Sequence, residues 1–354
     1  MPKRAAIIGY GTVTKAHLDA LNAVEGIMVT DIFSEHLTVD EARDVSLKHA
    51  VTVHHDLKGM LADPAIDLVS ICSRPDKHVD HAIQSAKAGK HLILEKPIAL
   101  SWADCERVKK VVDELDVMVS VCFECRYSDQ LLKSKAIVES QLGNLTYCET
   151  GYFHGIGPDN PQFSWNTKKS CGGSSLLSAG CHALDALLFL MNDAPVERVS
   201  SVTVRRSHPR YSLYEFPPHQ FTTLTFKDGR VGYVASSIGC NQPYDFPIRV
   251  MGEQGSLVNN KLFIYDDKPP TQEDWKQVPM KQLKSGAVED HPYLKQFGDF
   301  IQNIRSGNHD RIRQQFKTAL ETHRVIFAAD KSGELGQSVS LGDTIEIAVQ
   351  RARL

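Results

Sequence analysis

The sequence predicts an α/β protein in two parts, a doubly wound parallel sheet followed by an α+β domain with a large mixed or antiparallel sheet. Over residues 1–124, short β-rich segments alternate with amphipathic helical segments, which is typical of parallel βαβ units. After that point, several strands follow one another without intervening helices, as they do in antiparallel or mixed sheets. We therefore predict two domains, over residues 1–124 and 125–354.

The first domain is predicted to contain six strands and five helices. Leu68–Cys72 is a nearly continuous apolar run, as expected for a strand that is buried on both faces of a sheet. Right-handed crossovers between such parallel strands give a doubly wound sheet. The predicted strands are Arg4–Ile8, Ile27–Asp31, Val51–Val53, Leu68–Cys72, His91–Leu94 and Met118–Phe123, and the predicted helices are Val13–Leu21, Thr38–Lys48, Leu57–Ala62, Lys77–Ala88 and Ala103–Leu115.

The second domain is predicted to combine long strands with a few helices. A strongly apolar helix is expected from Ser174 to Met191, and Lys227–Gly229 is expected to be the tight turn of a hairpin. The other predicted helices are Asp129–Ser140, Tyr293–Ile304 and Arg311–Ala329, and the predicted strands are Leu145–Phe153, Arg198–Ser207, Phe221–Phe226, Val231–Ser237, Ile248–Met251 and Lys261–Tyr265.

Composition and charge argue against several classes of function. The 354 residues are 42% hydrophobic and 23% charged with a formal net charge of −3, so we expect no nucleic-acid partner. The longest apolar runs are shorter than a membrane span, so we expect no membrane partner and a cytoplasmic location. The eight cysteines are scattered and are expected to be reduced thiols. The pair Cys122 and Cys125 lacks the second pair and the nearby histidines of a zinc site, so no metal is predicted.

Glycines follow the first predicted strand, in the run Gly9-Tyr-Gly11-Thr12-Val13-Thr14. Gly9 permits a tight turn, and Gly11 lets the backbone approach a pyrophosphate. The N-terminus of the next helix, at Thr12 and Val13, offers backbone N–H groups and a favourable dipole. Thr14 stands where a third Gly or Ala is usual, so the fingerprint is incomplete. The pattern predicts that the first domain binds a dinucleotide.

Further candidates for binding this cofactor follow the later strands. Asp31 lies 22 residues after Gly9, close to the spacing of about 20 at which a carboxylate binds the adenine ribose. Such a carboxylate repels a 2′-phosphate, so we expect NAD rather than NADP. A capping or loop carboxylate is the alternative interpretation. The other candidates lie near the carboxyl ends of the fourth and fifth strands, and they are Cys72, Ser73, Arg74, His78, Glu95 and Lys96.

Two segments carry side chains suited to acid–base chemistry. In Glu95-Lys96-Pro97, a partly desolvated lysine at the end of the fifth strand can polarise or protonate a substrate oxygen. Ser178, His182 and Asp185 are spaced four and three residues apart, on one face of the apolar helix. Polar groups there need partners or a cavity, so this face is a candidate site. A surface lysine and a satisfied core histidine are the alternative interpretations.

Taken together, these segments resemble the glucose-fructose oxidoreductase / inositol dehydrogenase (Gfo/Idh/MocA) family over nearly the whole chain. The matching features are Gly9-x-Gly11, Ala88-Gly-Lys-His91 through Glu95-Lys96-Pro97, Gly172-Gly173 through His182-x-x-Asp185, and Gly252-Glu-Gln-Gly255. The resemblance implies a Rossmann domain that binds NAD(P) and chemistry at a carbohydrate carbinol. It also implies a C-terminal sheet domain that often mediates oligomerisation.

Carried onto this sequence, the resemblance makes Lys96 the active-site lysine and His182 the catalytic histidine. His182 takes the hydroxyl proton in this interpretation, Lys96 stabilises the developing charge on the oxygen, and Asp185 binds substrate or orients His182. The sequence departs from the family at Ser178, where many of its sugar dehydrogenases carry Asp. The residues expected to bind substrate are Arg126, Tyr152, Trp165, Asn166, Lys168 and Ser178.

Three functions remain open on the sequence alone. The leading hypothesis is an NAD-dependent oxidoreductase that interconverts a hydroxyl and a ketone on a sugar or cyclitol. The second is an NAD-dependent glycoside hydrolase that oxidises the sugar transiently, eliminates the aglycone and reduces the product again. The third is a non-catalytic regulator responsive to NAD or sugar, against which the presence of both Lys96 and His182 argues. A homodimer or homotetramer is expected, because this domain type exposes one sheet face.

Overall fold

The computed structural model describes residues 3–284, 286 and 288–342. Its strands are β1 (Lys3–Ile8), β2 (Ile27–Phe33), β3 (Thr52–His54), β4 (Ile66–Ile71), β5 (His91–Leu94), β6 (Val119–Val121), β7 (Leu145–Phe153), β8 (Val196–Val204), β9 (His219–Phe226), β10 (Val231–Ser237), β11 (Ile248–Gly252), β12 (Gly255–Val258), β13 (Lys261–Ile264), β14 (Lys276–Gln277) and β15 (Val339–Ser340). Its helices are α1 (Thr14–Ala23), α2 (Val39–His49), α3 (Leu57–Leu61), α4 (His78–Lys87), α5 (Trp102–Leu115), α6 (Asp129–Gln141), α7 (Phe163–Asn166), α8 (Lys169–Gly172), α9 (Cys181–Leu190), α10 (Tyr293–Arg305) and α11 (His309–Leu335).

The chain forms two compact units. Unit 1 contains the described residues up to Glu124 together with Val288–Leu320, and unit 2 contains the remaining described residues. The sequence-based prediction placed all of 125–354 in the second domain, and the structure corrects this for Val288–Leu320. The physical reason is hydrophobic burial, because Tyr293, Phe297 and Phe300 of α10 are buried in the core of unit 1.

Unit 1 is built on the predicted parallel sheet. Its six strands have the order β3-β2-β1-β4-β5-β6, with helices in the connections, which confirms the doubly wound fold. The chain leaves β1 in one direction along the sheet and returns to its other side at β4. In doubly wound sheets ligands bind at this switch point, outside the carboxyl ends of the strands.

Strand β2 is longer than predicted. Asp31 was expected to end it, but pairing with β1 continues through Ile32 and Phe33. Both of these side chains are apolar and buried, so extending the pairing also extends the core. The carbonyl oxygen of Phe33 accepts a hydrogen bond of 2.8 Å from the Gly9 backbone N–H. The edge of the sheet therefore lies after Phe33, two residues beyond Asp31.

Unit 2 contains a nine-stranded sheet with the order β14-β13-β12-β11-β7-β10-β9-β8-β15. Strands β7 and β10 pair in parallel, whereas neighbours such as β9 and β10 pair antiparallel, so the predicted mixed sheet is confirmed. The hairpin turn predicted at Lys227–Gly229 is present, and Gly229 has a positive φ of 87°. The prediction missed the short strands β12 and β14, and β8 ends at Val204 rather than at Ser207.

The apolar helical segment of unit 2 packs on β7 and β10. Within the described residues, Lys169–Leu190 is the one helical segment long and apolar enough to cross a membrane, with a mean hydropathy of 1.3. However, 78% of it is buried inside the structure, which is how a core helix of a globular unit is placed. Leu176–Gly180 forms a π turn in this segment. A Cβ atom on Gly180 would lie 2.3 Å from Ser236 Oγ, so glycine permits this close packing.

Candidate active site

The glycine turn after β1 has the geometry of a dinucleotide site. Gly9 has a φ of +99°, and a Cβ atom there would lie 2.8 Å from the Ser73 backbone nitrogen, so a larger residue does not fit. A Cβ atom on Gly11 would meet nothing within 4 Å, which leaves open space beside the backbone. The Thr14 hydroxyl accepts from Gly11 N–H at 2.8 Å and donates to the Gly9 carbonyl at 3.2 Å. Thr14 thus braces the turn, and the residues fit a pyrophosphate at the N-terminus of α1.

The other predicted cofactor residues near this turn have different surroundings. Thr12 is exposed in the turn, whereas Val13 is half-buried and packs against the core of unit 1. After β4, Cys72 is buried, and the Ser73 hydroxyl forms a hydrogen bond of 2.9 Å with His81 Nδ1. Arg74 is exposed and forms an ion pair with Asp76. Thr12 and Arg74 are therefore the predicted residues of this group with exposed side chains.

His78 connects the turns that follow β4 and β5. Its Nδ1 lies 2.6 Å from the Pro97 carbonyl oxygen and its Nε2 lies 2.8 Å from the Ser73 carbonyl oxygen. Both oxygens are carbonyl acceptors, so the ring can donate to both only when both nitrogens carry a proton; burial lowers the pKa of His78, and these two contacts oppose that shift. The ring thereby holds the segment that carries Lys96 beside the segment that carries Ser73. This contact pattern makes His78 a structural support of the site.

Asp31 is engaged by its own chain. The side chain is 3% exposed, and its carboxylate accepts hydrogen bonds from Arg4 at 2.7 Å and from His54 at 2.8 Å. Burial would raise the pKa of Asp31, but the hydrogen bonds from Thr30, His54 and Arg4 lower it. The carboxylate is thus a buried anion that bonds the Arg4 guanidinium and the His54 ring, and it lies before the end of β2. The structure does not support the ribose role predicted for Asp31.

A further carboxylate near the end of β2, which the sequence interpretation did not consider, is that of Glu35. It is exposed, lies two residues after the end of β2, and follows Gly9 by 26 residues. Burial lowers the pKa of the neighbouring His81 to about 4, and the charge of Glu35 opposes that shift. Since His81 bonds Ser73, Glu35 lies near the turn after β4. In the sequence, the apolar pair Ile32-Phe33 indicates that β2 continues beyond Asp31. A carboxylate that follows the strand must then lie after Phe33, where Glu35 is the first acidic residue.

A buried carboxylate lies next to Lys96 at the end of β5. Glu95 Oε1 accepts from Tyr293 OH at 2.8 Å and from His17 Nε2 at 2.9 Å, and its Oε2 accepts from the Lys96 backbone N–H at 3.1 Å. Burial opposes charge on both partners, yet contacts with Cys72 and Glu95 raise the pKa of His17 to about 10, and His17 lowers the pKa of Glu95. At pH 7 the pair is an imidazolium and a carboxylate.

The same cluster contains potential metal-ligating atoms. Atoms of His17, Glu95 and Cys122 that could ligate a metal lie within 4.8 Å of one another. His17 and Glu95 bond each other directly, and burial raises the pKa of the Cys122 thiol well above its ordinary value. The thiol is therefore protonated at pH 7, and the group is a hydrogen-bonded cluster in this structure.

In unit 2, His182 lies among aromatic side chains. It is 4% exposed and stacks on Tyr152, with ring centroids 6.3 Å apart and an interplanar angle of 24°. The Tyr152 hydroxyl is 3.3 Å from His154 Nδ1, and Tyr244 packs edge-on against Tyr152 and His154 at 5.4 and 5.5 Å. We call these four residues the aromatic cluster. Aromatic faces with polar edges suit the apolar and hydroxyl-bearing faces of a sugar ring. Sequence reasoning missed Tyr244, an aromatic residue in an otherwise irregular loop.

Arg126 and Asp185 bind each other. The Arg126 guanidinium donates two hydrogen bonds, of 2.6 and 2.8 Å, to the two oxygens of the buried Asp185 carboxylate. Thr322 adds a third at 3.0 Å, and Arg126 also lies over the Phe189 ring. The contacts that the structure gives these two side chains are internal ones, so it supports neither a substrate role for Arg126 nor a catalytic role for Asp185.

The remaining predicted substrate residues differ from one another in their degree of burial and in the groups they contact. Ser178 is half-buried in the π turn, and Trp165 is half-buried in α7. Asn166 is buried against Gly172, where an added Cβ would lie 2.1 Å from the Asn166 carbonyl oxygen. Lys168 is exposed and forms an ion pair of 3.3 Å with Glu215. Lys168 therefore already has a partner within unit 2, whereas the buried Asn166 Oδ1 accepts no hydrogen bond within the described residues.

Comparison with known families agrees with this arrangement. A family model described as oxidoreductase family, NAD-binding Rossmann fold, matches residues 3–123, and a GFO/IDH/MocA C-terminal domain model matches residues 132–258. The chain belongs to the Gfo/Idh/MocA family. The sequence-based resemblance is thus confirmed, together with an NAD-binding Rossmann fold in the N-terminal part and membership of an oxidoreductase family.

Individual relatives share the fold at low sequence identity. A myo-inositol 2-dehydrogenase of Thermotoga maritima is 24% identical over 352 residues, covering 97% of this chain and 99% of that protein. A scyllo-inositol 2-dehydrogenase (NADP(+)) of Bacillus subtilis is 27% identical over 189 residues, covering 53% of this chain and 51% of that protein. The crystal structure of a Lactobacillus casei scyllo-inositol dehydrogenase with bound NAD(H) and scyllo-inositol superposes with a TM-score of 0.77 at 16% identity, covering 96% of this chain and 99% of that one.

Proposed function

We propose that this protein is an NAD-dependent oxidoreductase that interconverts a hydroxyl and a ketone on a sugar or cyclitol. The observation that carries the proposal is the aromatic cluster, in which a buried histidine stacks on a tyrosine beside further aromatic and imidazole edges. A polyol offers C–H faces to such rings and hydroxyl groups to such edges. The relatives named as inositol dehydrogenases support the same substrate class.

In this proposal, Lys96 and His182 have acid–base roles. When bound, NAD supplies the hydride acceptor for the carbinol carbon. The His182 imidazole takes the proton of the reacting hydroxyl, and the Lys96 ammonium stabilises the negative charge that develops on that oxygen. Arg126 and Asp185 have no step in this mechanism, because they neutralise each other. Ser178 contributes a hydroxyl where many relatives supply a carboxylate.

The proposal for cofactor preference rests on Glu35 rather than on Asp31. A carboxylate placed just after β2 accepts hydrogen bonds from the ribose hydroxyls and repels a 2′-phosphate. Glu35 is exposed there, whereas Asp31 is buried, forms an ion pair with Arg4 and bonds the His54 ring. We therefore expect NAD to be preferred over NADP.

One observation favours a second function. By the resemblance to the family, Ser178 stands where many of its sugar dehydrogenases carry Asp, and a glycoside hydrolase that oxidises and re-reduces its substrate on tightly held NAD needs a different set of bases from a dehydrogenase. The purified protein would be incubated with NAD and a panel of cyclitols, sugars and aryl glycosides, while nicotinamide absorbance and aglycone release are followed together. Accumulation of NADH without aglycone supports the dehydrogenase. Aglycone release without net NADH supports the hydrolase, and neither signal on any substrate contradicts both.

The assembly and the location are proposals of the same standing. We propose a homodimer or homotetramer, on the basis of the open sheet that is typical of this domain type. We also propose a cytoplasmic location, on the basis of the sequence composition given above. Native mass determination of the purified protein checks the assembly, and a monomer at micromolar concentration would contradict it.

A further inference from the structure

The buried cluster at the end of β5 contains more polar contacts than folding of the sheet requires. Glu95 is buried in unit 1, and each of its oxygens accepts at least one hydrogen bond from its own unit. His17 reaches it from α1 and Tyr293 from α10, so two separate helices fix one carboxylate. The His17 ring is itself fixed by Ser70 at 2.8 Å and by the Tyr293 ring at a centroid distance of 4.4 Å.

The carboxylate is connected to Lys96 both through the backbone and through charge. Its Oε2 holds the Lys96 N–H at 3.1 Å, and the positive charge of Lys96 contributes to lowering the pKa of Glu95, although burial opposes this. An apolar side chain at this position would satisfy the core at a lower desolvation cost. The placement of an anion that bonds the backbone of this lysine points to a role in the chemistry of the lysine.

We propose that Glu95 is a positioning residue for Lys96, and that its carboxylate, fixed by His17 and Tyr293, sets the place of the Lys96 backbone and the charge of its ammonium group. The inference rests on the proposed function, in which Lys96 stabilises the substrate oxygen. The titratable groups that surround Glu95, His17 and Lys96 in the described part of unit 1 include Cys72 after β4, His78 from α4, Cys122 and Glu124 after β6, and His291 and Tyr293 at the start of α10.

The test measures the protonation of Lys96 itself, without turnover. Lysines of the full-length protein would be reductively methylated with a ¹³C label and titrated by NMR, and the Lys96 resonance would be assigned by its absence in Lys96→Arg. In Glu95→Gln we expect the pKa of Lys96 to fall by about 0.5 to 1 pH unit, because an adjacent anion is removed. The fall is smaller than for an isolated charge, because the pKa of His17 falls as well when Glu95 is removed, and any loss of the imidazolium charge offsets the loss of the carboxylate.

Tyr293→Phe keeps the core filled and serves if Glu95→Gln does not fold. Without the hydroxyl that donates to Oε1, the negative potential of the carboxylate at Lys96 increases, so the pKa of Lys96 should rise by about 0.3 pH unit. The matched controls are Glu149→Gln and Tyr147→Phe, since Tyr147 donates to the Glu149 carboxylate at 3.3 Å in unit 2. Both controls should leave the Lys96 titration unchanged.

Turnover then links the charge to catalysis. With a polyol substrate, the limb of the kcat–pH profile that reports Lys96 should move in the same direction as the NMR titration, with KM for NAD within about twofold. If Lys96 titrates identically in the wild type, Glu95→Gln and Tyr293→Phe, or in the wild type and whichever of the two variants folds, the positioning role is wrong. If the titrations shift as expected but no polyol is oxidised, the positioning role stands and the proposed function fails.

Discussion

The two units each bury an ion pair, and the two pairs differ in what lies next to them. In unit 1 the Glu95 carboxylate accepts hydrogen bonds from the His17 ring, the Tyr293 hydroxyl and the backbone N–H of Lys96. In unit 2 the Asp185 carboxylate receives two hydrogen bonds from Arg126 and one from Thr322. The first pair adjoins a lysine at the carboxyl edge of a parallel sheet, whereas the contacts of the second pair are internal ones. Both carboxylates are buried and ionic, so the residue type does not separate them. The groups that contact each carboxylate distinguish a candidate active-site residue from a residue that only stabilises the fold.

The pairs also differ in how they respond to pH. Arg126 stays charged throughout the accessible range, and its pKa is raised further by Asp185 despite burial. His17 is a titratable partner, because Cys72 and Glu95 raise its pKa to about 10 against the effect of burial. Of these two pairs, the one in unit 1 should therefore lose its cationic charge as the pH approaches 10. Variants in each pair, at the two carboxylates of β2 and its following turn, and in the aromatic cluster test this difference.

The largest effect is expected at the pair in unit 2. Arg126→Met should reduce the free energy of unfolding by about 3–5 kcal/mol, because it leaves the Asp185 carboxylate buried without a counterion. Urea denaturation followed by circular dichroism measures the change. The double variant Arg126→Met/Asp185→Leu removes both charges and should recover most of the loss. A loss below about 1 kcal/mol in the single variant would show that Asp185 is solvated or protonated at no cost.

The pair in unit 1 should make stability dependent on alkaline pH. The folded-state pKa of His17 is raised to about 10, above the unfolded value of about 6.5. Its stabilisation is therefore complete below about pH 6.5 and is lost as the pH rises towards 10. The wild-type free energy of unfolding should fall by a few kcal/mol, about 2–4, between pH 7 and 10. His17→Gln should be less stable at pH 7 and nearly flat over this range. Parallel curves for the two proteins would contradict the imidazolium assignment.

The preference for NADH over NADPH tests which carboxylate binds the ribose, the exposed Glu35 after β2 or the buried Asp31 within it. Glu35→Ser should weaken NADH relative to NADPH by about tenfold, because a ribose acceptor and a repulsive charge are both removed. Titration of cofactor fluorescence gives the two dissociation constants. Asp31→Asn is the matched control, and it should lower stability while leaving the NADH-to-NADPH ratio within about twofold. A change of ratio in Asp31→Asn alone would return the ribose role to Asp31.

The smallest effect is expected in the aromatic cluster. Tyr244→Leu should raise KM for a polyol about fivefold with little change in kcat, since an aromatic contact contributes about 1 kcal/mol. Steady-state kinetics at saturating NAD measure both constants. Tyr265→Leu alters an exposed tyrosine outside the cluster and should change neither. An unchanged KM in Tyr244→Leu would remove Tyr244 from the substrate surface.

Local patterns predicted most of the fold, because strands and helices depend on the spacing of apolar residues within a few positions. β5, β7 and β10 have the predicted bounds, and the strand order of unit 1 follows from the connection rules. The packing of Val288–Leu320 into unit 1 depends on contacts between its apolar helix faces and a core formed by residues distant in the sequence. No local pattern contains that information. The end of β2 was misplaced because Asp31 interrupts an apolar run that continues beyond it.

The candidate site was predicted where it depends on motifs and missed where it depends on distant partners. Gly9 and Gly11 lie in the open turn that the glycine pattern indicates. The pairing of Arg126 with Asp185 joins residues 59 positions apart, whereas spacing along one helix indicated only that Asp185 needs a partner or a cavity. Tyr244 lies in an irregular loop without periodicity, so its place beside Tyr152 became visible only in three dimensions.

The central claim, polyol oxidation that depends on Lys96, is tested most directly by comparing NADH formation in the wild type and in Lys96→Met. Both proteins would be assayed with NAD and a panel of cyclitols and sugars, after a fluorescence titration establishes that each binds NADH. We predict that the wild type reduces NAD with at least one polyol, and that Lys96→Met binds NADH normally but turns over at least about 100-fold more slowly. A Lys96→Met protein that oxidises the same polyol at the wild-type rate would contradict the account.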